Sequence, residues 1–282
     1  MAFISSGEKG AICLFGAPFD STSSFRPGSR FGPQAIREAS HGLETYSPVQ
    51  KMDLADISFI DMGDLELPFG DPGQALSLIE EKTSGILSSG AIPFLIGGEH
   101  LVTLGAFKAV ERYHKDIKVI HLDAHADLRE EYLGLRLSHA TVIRRVSEIV
   151  GTGRIKQIGV RSMDRTEVEL AGELASLPDD VIIWGQGSPI YLTCDLDIMD
   201  PSIFPGTGTP EPGGITFNGL SEMLLSLINS LNVAAIDMVE LSPVCDNTGT
   251  SSVVAAKLVR ECLIAIGRKV KEVHHACGQG VA

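Results

Sequence analysis

Short apolar runs alternate with helix-length stretches from one end of this 282-residue chain to the other, and that alternation restricts the fold more than any other feature. Strands are expected at 11–15, 57–61, 92–96, 117–122, 155–160, 190–194 and 233–239. Helices are expected between them: one opened by Pro33, one capped by Asp71 and ending near Gly90, then 101–113, 140–150, 165–177, 220–231 and 251–268. Proline costs a helix nothing in its first turn, where the missing N–H has no intrahelical partner. Asp71 before Pro72 supplies the side-chain oxygen that caps the next helix. Strands joined by helix-length crossovers imply a mostly parallel sheet covered by helices on both faces. The expected architecture is a single domain over residues 1–282 with its core at 11–268. It is an α/β fold, a three-layer α/β/α sandwich around a mostly parallel central sheet.

With 44% hydrophobic and 21% charged residues, the chain has an ordinary globular mix and can bury a core without disulfides. Lys and Arg number 23 against 36 Asp and Glu, a net charge of −13. That balance speaks against nucleic acid or an anionic membrane as partner, since both need clustered cations. The longest stretch without Asp, Glu, Lys or Arg, 83–98, is too short and too broken to span a bilayer. The N-terminus lacks the basic-then-apolar order of a secretory signal. Five cysteines with no C-x-x-C pair read as reduced thiols, and a cytoplasmic location is expected.

In open parallel sheets, ligands bind beyond the carboxyl ends of the strands. The strand at 117–122 runs into Asp123-Ala124-His125-Ala126-Asp127, where period-2 spacing would set three polar side chains on one face. The strand at 190–194 ends in Asp195-Leu196-Asp197-Ile198-Met199-Asp200-Pro201. The strand at 92–96 ends in Gly97-Gly98-Glu99-His100, where the glycines allow a tight turn. A single Asp after a strand is commonly only a turn residue. Three strand ends of the same character are a stronger signal. Four carboxylates gathered without a counter-charge repel one another, and these runs hold no Lys or Arg before Arg129. Divalent cations are the natural remedy. Imidazole and carboxylate donors suit borderline-hard ions, and carboxylates can bridge a pair of them.

These three runs resemble the signatures of the ureohydrolase (arginase/agmatinase) family. So do Gly16-Ala17-Pro18-Phe19-Asp20 and Arg26-Pro27-Gly28-Ser29-Arg30-Phe31-Gly32-Pro33 upstream. Downstream, the loop from Gly206 to Gly214 and Asp237-Met238-Val239-Glu240-Leu241-Ser242-Pro243 match as well. The resemblance implies two Mn2+ ions. His100, Asp123, Asp127 and Asp195 would hold one; Asp123, His125, Asp195 and Asp197 would hold the other, with Asp123 and Asp195 bridging. It implies Asp127 as a proton carrier, Glu240 against the guanidinium, and His139 as a proton shuttle. After His139 this chain has Ala140 where many relatives have Gly. It also implies a small cationic guanidino substrate and a homo-oligomer, a trimer or hexamer.

Within the family, Leu128-Arg129-Glu130-Glu131-Tyr132-Leu133-Gly134 and Thr209-Pro210-Glu211-Pro212-Gly213-Gly214 resemble the agmatinase branch, which implies agmatine cleaved to putrescine and urea. Glu130, Glu131 and Glu211 are candidates to face the substrate's ammonium. Arg129 could instead receive a carboxylate, which keeps guanidinobutyrate, arginine and formiminoglutamate as alternatives. Phosphoester hydrolysis would want more basic residues in the motifs. A polyamine-binding protein with a relic metal site would have lost a ligand. His121 is expected to be packed within its strand, and Asp200 to be a turn residue. His41 and His114 have no partner pattern. His274, His275 and Cys277 read as a solvated tail. The loop from Gly206 to Gly214 lacks the Gly-Lys-Ser/Thr ending of a phosphate loop and is expected over the active site.

Overall fold

A computed structural model describes residues 1–278, with side chains as far as Glu272, so the expectation for the side chains of His274, His275 and Cys277 lies outside what is described. In chain order the first elements are β1 (Ile12–Ala17), α1 (Gly32–Ser40), β2 (Tyr46–Ser47), β3 (Met52–Asp53), β4 (Phe59–Asp64) and α2 (Pro72–Ser88). Next come β5 (Ile92–Gly97), α3 (Val102–Tyr113), β6 (Lys118–Leu122), α4 (Val142–Val150), β7 (Ile155–Ile158) and α5 (Val168–Leu174). The chain continues through α6 (Pro178–Gly185), β8 (Pro189–Asp195), α7 (Phe217–Ser230), β9 (Asn232–Val239) and α8 (Thr250–Gly278).

Seven strands form one sheet in the order β4-β1-β5-β9-β8-β6-β7, and every pairing in it is parallel. Its inner strands are buried on both faces, which their alternation makes explicit. Ile12 and Leu14 join a core with α1, α7 and α8; Cys13 and Phe15 join a second core with α2, α3 and α4. This is the expected three-layer sandwich. The small β2–β3 hairpin, which the apolar pattern does not announce, is docked on α8 by Ser47 and Gln50 donating to Glu261.

One expectation is corrected. The stretch 165–177 is not one helix: α5 is shorter, and Pro178 at a first-turn position, followed by Asp179 and Asp180, starts the separate α6. The turn after Gly97 and Gly98 brings His100 over the sheet edge as expected, and neither glycine has positive φ. Gly98 is required by close approach. A Cβ there would sit 2.1 Å from the Phe19 carbonyl oxygen, on the segment to which Glu99 N–H donates at 2.7 Å.

Asp246 accepts from the N–H groups of Thr248 at 2.9 Å and Ser251 at 2.7 Å, capping the start of α8. These bonds outweigh burial and hold its carboxyl well below the usual carboxylate range. We expect Asp246→Ala to lose about 1 kcal/mol at pH 7, the usual worth of such a cap. A depressed folded pKa stabilises above the unfolded value of about 4, and that stabilisation fades as pH falls below it. Denaturant melts of parent and variant should therefore converge as pH drops below about 4.

Candidate metal centre

Strand register decides where the candidate residues meet. Leu122 lies beside Cys194, Cys194 beside Met238, and Ile96 beside Met238, so β6, β8, β9 and β5 end at one level as neighbours. The residues at and just after these four strand ends gather over the same edge: Asp123, Asp195, Glu240 and the turn to His100. The cavity there has a volume of about 230 Å³, and His100, His125, Asp127, His139, Asp195 and Glu240 all line it.

The ring of His100, 1% exposed, is the hub. Its Nδ1 lies 3.1 Å from Asp123 Oδ2, 3.3 Å from Asp127 Oδ2 and 3.4 Å from Asp195 Oδ2. Its Nε2 is 2.9 Å from the Thr193 hydroxyl, which donates its own proton to Asp237 Oδ1 at 2.6 Å. The hydroxyl therefore accepts from His100, and a neutral ring carries its proton on Nε2. In that form the ring turns a buried lone pair on Nδ1 toward three carboxylates. Burial opposes a charge on the ring, yet Asp123, Asp127 and Asp195 raise its proton affinity well above the usual histidine value, so a positive charge belongs at this point. A cation resolves that arrangement, and the donor set of imidazole nitrogen and carboxylate oxygen fits a borderline-hard divalent ion.

A second group adjoins the first through Asp123. His125 Nδ1 is 2.9 Å from Asp197 Oδ2 and 3.6 Å from Asp123 Oδ1. Asp123 thus belongs to two convergent sets of donors, His100–His121–Asp123–Asp127 and Asp123–His125–Asp197. Asp195 reaches the first set through Oδ2, while its Oδ1 accepts from Asp197 N–H at 2.8 Å and so fixes the turn that carries Asp197. The run from Asp123 to Asp127 is not extended throughout, because β6 stops at Leu122 and Asp127 takes a left-handed φ of 54°. Its three polar side chains nevertheless converge, and Ala124 and Ala126 are both buried, Ala126 against the cavity itself.

Charge crowding is plain in the proton affinities. Burial, and then Asp123, pushes Asp127 up to about 7. Burial, and then Asp197, holds Asp195 well above the carboxylate range; burial and Glu99 do the same to Glu240. Burial opposes charge on His125, yet Asp197 and Asp123 push it up to about 12. Glu240, at φ 69°, donates its N–H to Gly98 O at 2.8 Å and accepts from His100 N–H through Oε1 at 2.8 Å. Left-handed non-glycine residues cost about 1–3 kcal/mol each and persist where the surroundings fix them.

His139 opens a single 3-10 turn before α4. Its N–H donates to Thr22 Oγ1 at 3.2 Å, and its Nε2 lies 3.5 Å from Ser24 Oγ. Burial pushes it down to about 4. Ala140 has no positive φ, so its methyl group imposes no strain and leaves His139 free to face the cavity. His121 is packed within its strand as expected, fully buried, with both ring nitrogens engaged by polar neighbours. Asp200 is a turn residue, accepting from Gly213 N–H at 2.8 Å and Ser202 N–H at 3.0 Å. The loop from Gly206 does cover the site: Thr209 lines the cavity and reaches Asp197 Oδ2 at 3.3 Å.

The expectation for Glu130, Glu131 and Glu211 fails, since none of them lines the cavity. Glu130 is turned toward Arg144 at 3.1 Å and toward Arg136 and Arg145 at 3.5 Å. The carboxylate on that wall is Glu167, buried, accepting from Leu128 N–H at 2.8 Å and Asp164 N–H at 2.6 Å. Arg129 lines the wall beside it, 3.6 Å from Glu167 and stacked 4.7 Å over the Tyr132 ring. Nothing near Glu167 in the sequence marks it. Thr193 and Asp237, also unforeseen, do carry a signal: they are polar residues inside two apolar strands, which the register sets side by side.

The fold and the site define a parallel α/β protein that pools imidazoles and carboxylates at four adjoining strand ends. The arginase family model matches residues 10–265, and the chain belongs to that family. It is 42% identical over 267 residues to the agmatinases of Bacillus anthracis and Bacillus subtilis, covering 91% of this chain and 92% of theirs. The crystal structure of agmatine ureohydrolase of Thermoplasma volcanium superposes with a TM-score of 0.87 at 34% identity, covering 96% of each chain.

Proposed function

We propose that this protein hydrolyses the guanidino group of agmatine to give putrescine and urea, with two Mn2+ ions. The observation that carries the reading is the cavity itself. It is lined by Asp127, Asp195, Glu240 and Glu167 with His100 and His125, and Asp123 and Asp197 lie buried beside the two histidines. A substrate with a cation at each end suits such a lining. The similarity to agmatinases across nine-tenths of both chains supports it.

His100, Asp123, Asp127 and Asp195 would hold one ion, and Asp123, His125, Asp195 and Asp197 the other. Bound there, the pair supplies Lewis acidity, which makes water nucleophilic near neutral pH. A guanidinium against Glu240 offsets the burial and the Glu99 charge that raise this carboxylate's proton affinity, and the charge-assisted hydrogen bond so formed fixes the guanidinium carbon over the cavity floor. Asp127 takes a proton at Oδ2 and passes it toward the departing amine. His139, neutral above about pH 4, accepts a proton at Nε2 and exchanges it with solvent past Ser24. Family resemblance supports a trimer or hexamer. The free thiols Cys13, Cys194, Cys245 and Cys262 fit a cytoplasmic location.

A second reading, a guanidino acid such as guanidinobutyrate, is favoured by one observation: Arg129 stands on the cavity wall. Its pairing with Glu167 and Tyr132 weakens it as a carboxylate receptor. The test is kcat/KM for agmatine, arginine and guanidinobutyrate side by side with Mn2+ present. Agmatine is expected to lead by about tenfold or more, since a carboxylate facing buried Glu167 forfeits at least about 1.4 kcal/mol. A better rate with either carboxylate-bearing compound overturns the agmatine assignment.

A further inference from the structure

His121 is fully buried, and its ring lies among the candidate ligands. Its hydrogen bonds give it a different task from His100. Nε2 is 2.8 Å from Asp123 Oδ2, and Nδ1 is 2.8 Å from Gln157 Nε2. Gln157 lies on β7 directly beside His121 in the register. The same amide nitrogen donates to Ala126 O at 2.8 Å. A carbonyl only accepts, so Ala126 fixes which end of the amide faces inward; the cost is a Gln157 Oε1 with no hydrogen-bond partner.

An amide NH2 group only donates, so Nδ1 of His121 must accept. The neutral ring then carries its proton on Nε2 and donates it to Asp123. Both nitrogens are committed, and neither offers a lone pair to the cavity. His100 is the opposite case: its Nε2–H is committed to Thr193, and its Nδ1 is free.

We propose that His121, oriented by Gln157, is a positioning residue that clamps the shared carboxylate Asp123 and does not itself bind an ion. It holds Asp123 Oδ2, while His125 N–H holds Oδ1 at 2.6 Å. The carboxylate plane is thereby set before any ion arrives. Partners of this kind behind a ligand typically govern metal affinity by about ten- to a hundredfold. The proposal rests on the reading that the cluster holds divalent ions, and its test separates the two.

Nitrogen-15 NMR of the metal-free protein, with histidines labelled, reads the tautomer directly. The His121 resonances should show a protonated Nε2 and an unprotonated Nδ1. Mn2+ titration by calorimetry then compares the parent with His121→Phe, His121→Gln and Gln157→Met. His121→Phe should weaken Mn2+ binding about ten- to a hundredfold with two ions still bound at saturation. His121→Gln, which keeps an N–H near the position of Nε2, should recover most of that loss. Gln157→Met should fall between them, and it carries the test if His121→Phe does not fold.

A proton on Nδ1, an unchanged affinity in both His121→Phe and Gln157→Met, or a drop to one ion in His121→Phe would each overturn the proposal. A parent that binds no Mn2+ would overturn the ion reading beneath it, whatever the tautomer.

Discussion

Asp195→Ala is expected to abolish activity and to weaken binding of both ions, where His100→Ala weakens mainly one. Asp195 touches both groups of donors: Oδ2 faces His100 at 3.4 Å, and Oδ1 anchors the turn of Asp197 at 2.8 Å. Removing it takes a donor from the first group and releases a donor of the second. His100 has no such reach, because its Nδ1 faces Asp123, Asp127 and Asp195, whereas the second group is joined by His125 Nδ1 to Asp123 and Asp197. Several kcal/mol of transition-state stabilisation rest on a metal pair, so the loss in kcat should be on the order of a thousandfold or more. Metal content of the purified variants decides the assignment. Full occupancy by two ions in Asp195→Ala would sink the bridging role.

The second large effect is expected from Glu240→Gln. Gln preserves the shape and can still accept from His100 N–H, the 2.8 Å bond that orders the turn after β5. It removes only the negative charge offered to the guanidinium. A hydrogen bond to a charged group is worth about 1.5–3 kcal/mol, so kcat/KM should fall by roughly 10- to 150-fold. Mn2+ content and melting temperature should match the parent, because the contacts of Glu240 to His100 and Gly98 survive. Parent-like kinetics would make Glu240 a structural residue of the β9 turn.

The sheet and its two helical layers are legible in the sequence because local rules suffice for them. Apolar runs such as 117–122 are bounded by turn residues, and Pro33 and Asp71-Pro72 mark helix starts through backbone hydrogen bonding alone. The break between α5 and α6 is equally local, signalled by Pro178, but helix-forming residues continue to Leu177 and mask where α5 ends. The candidate ligands are also visible, since four carboxylates and two imidazoles at strand ends are a charge problem before they are a structure.

Partnership belongs to the tertiary structure alone. Sequence distance says nothing about Gln157 reaching His121, or Thr193 standing between His100 and Asp237; the order of β9, β8, β6 and β7 in the sheet decides both. The same holds for the acidic wall. Glu130 and Glu131 come directly after the metal motif in sequence, but Glu130 is drawn outward by Arg136, Arg144 and Arg145, while distant Glu167 is drawn inward by two backbone N–H groups. Which donors a buried polar group finds, and therefore which proton each imidazole holds, depends on packing in three dimensions, because a buried polar atom can pair only with the groups packed against it. Composition and spacing determined that this chain gathers carboxylates and imidazoles at a sheet edge. Only the packed structure decided that Nδ1 of His100 faces three of those carboxylates while both ring nitrogens of His121 are engaged by Asp123 and Gln157.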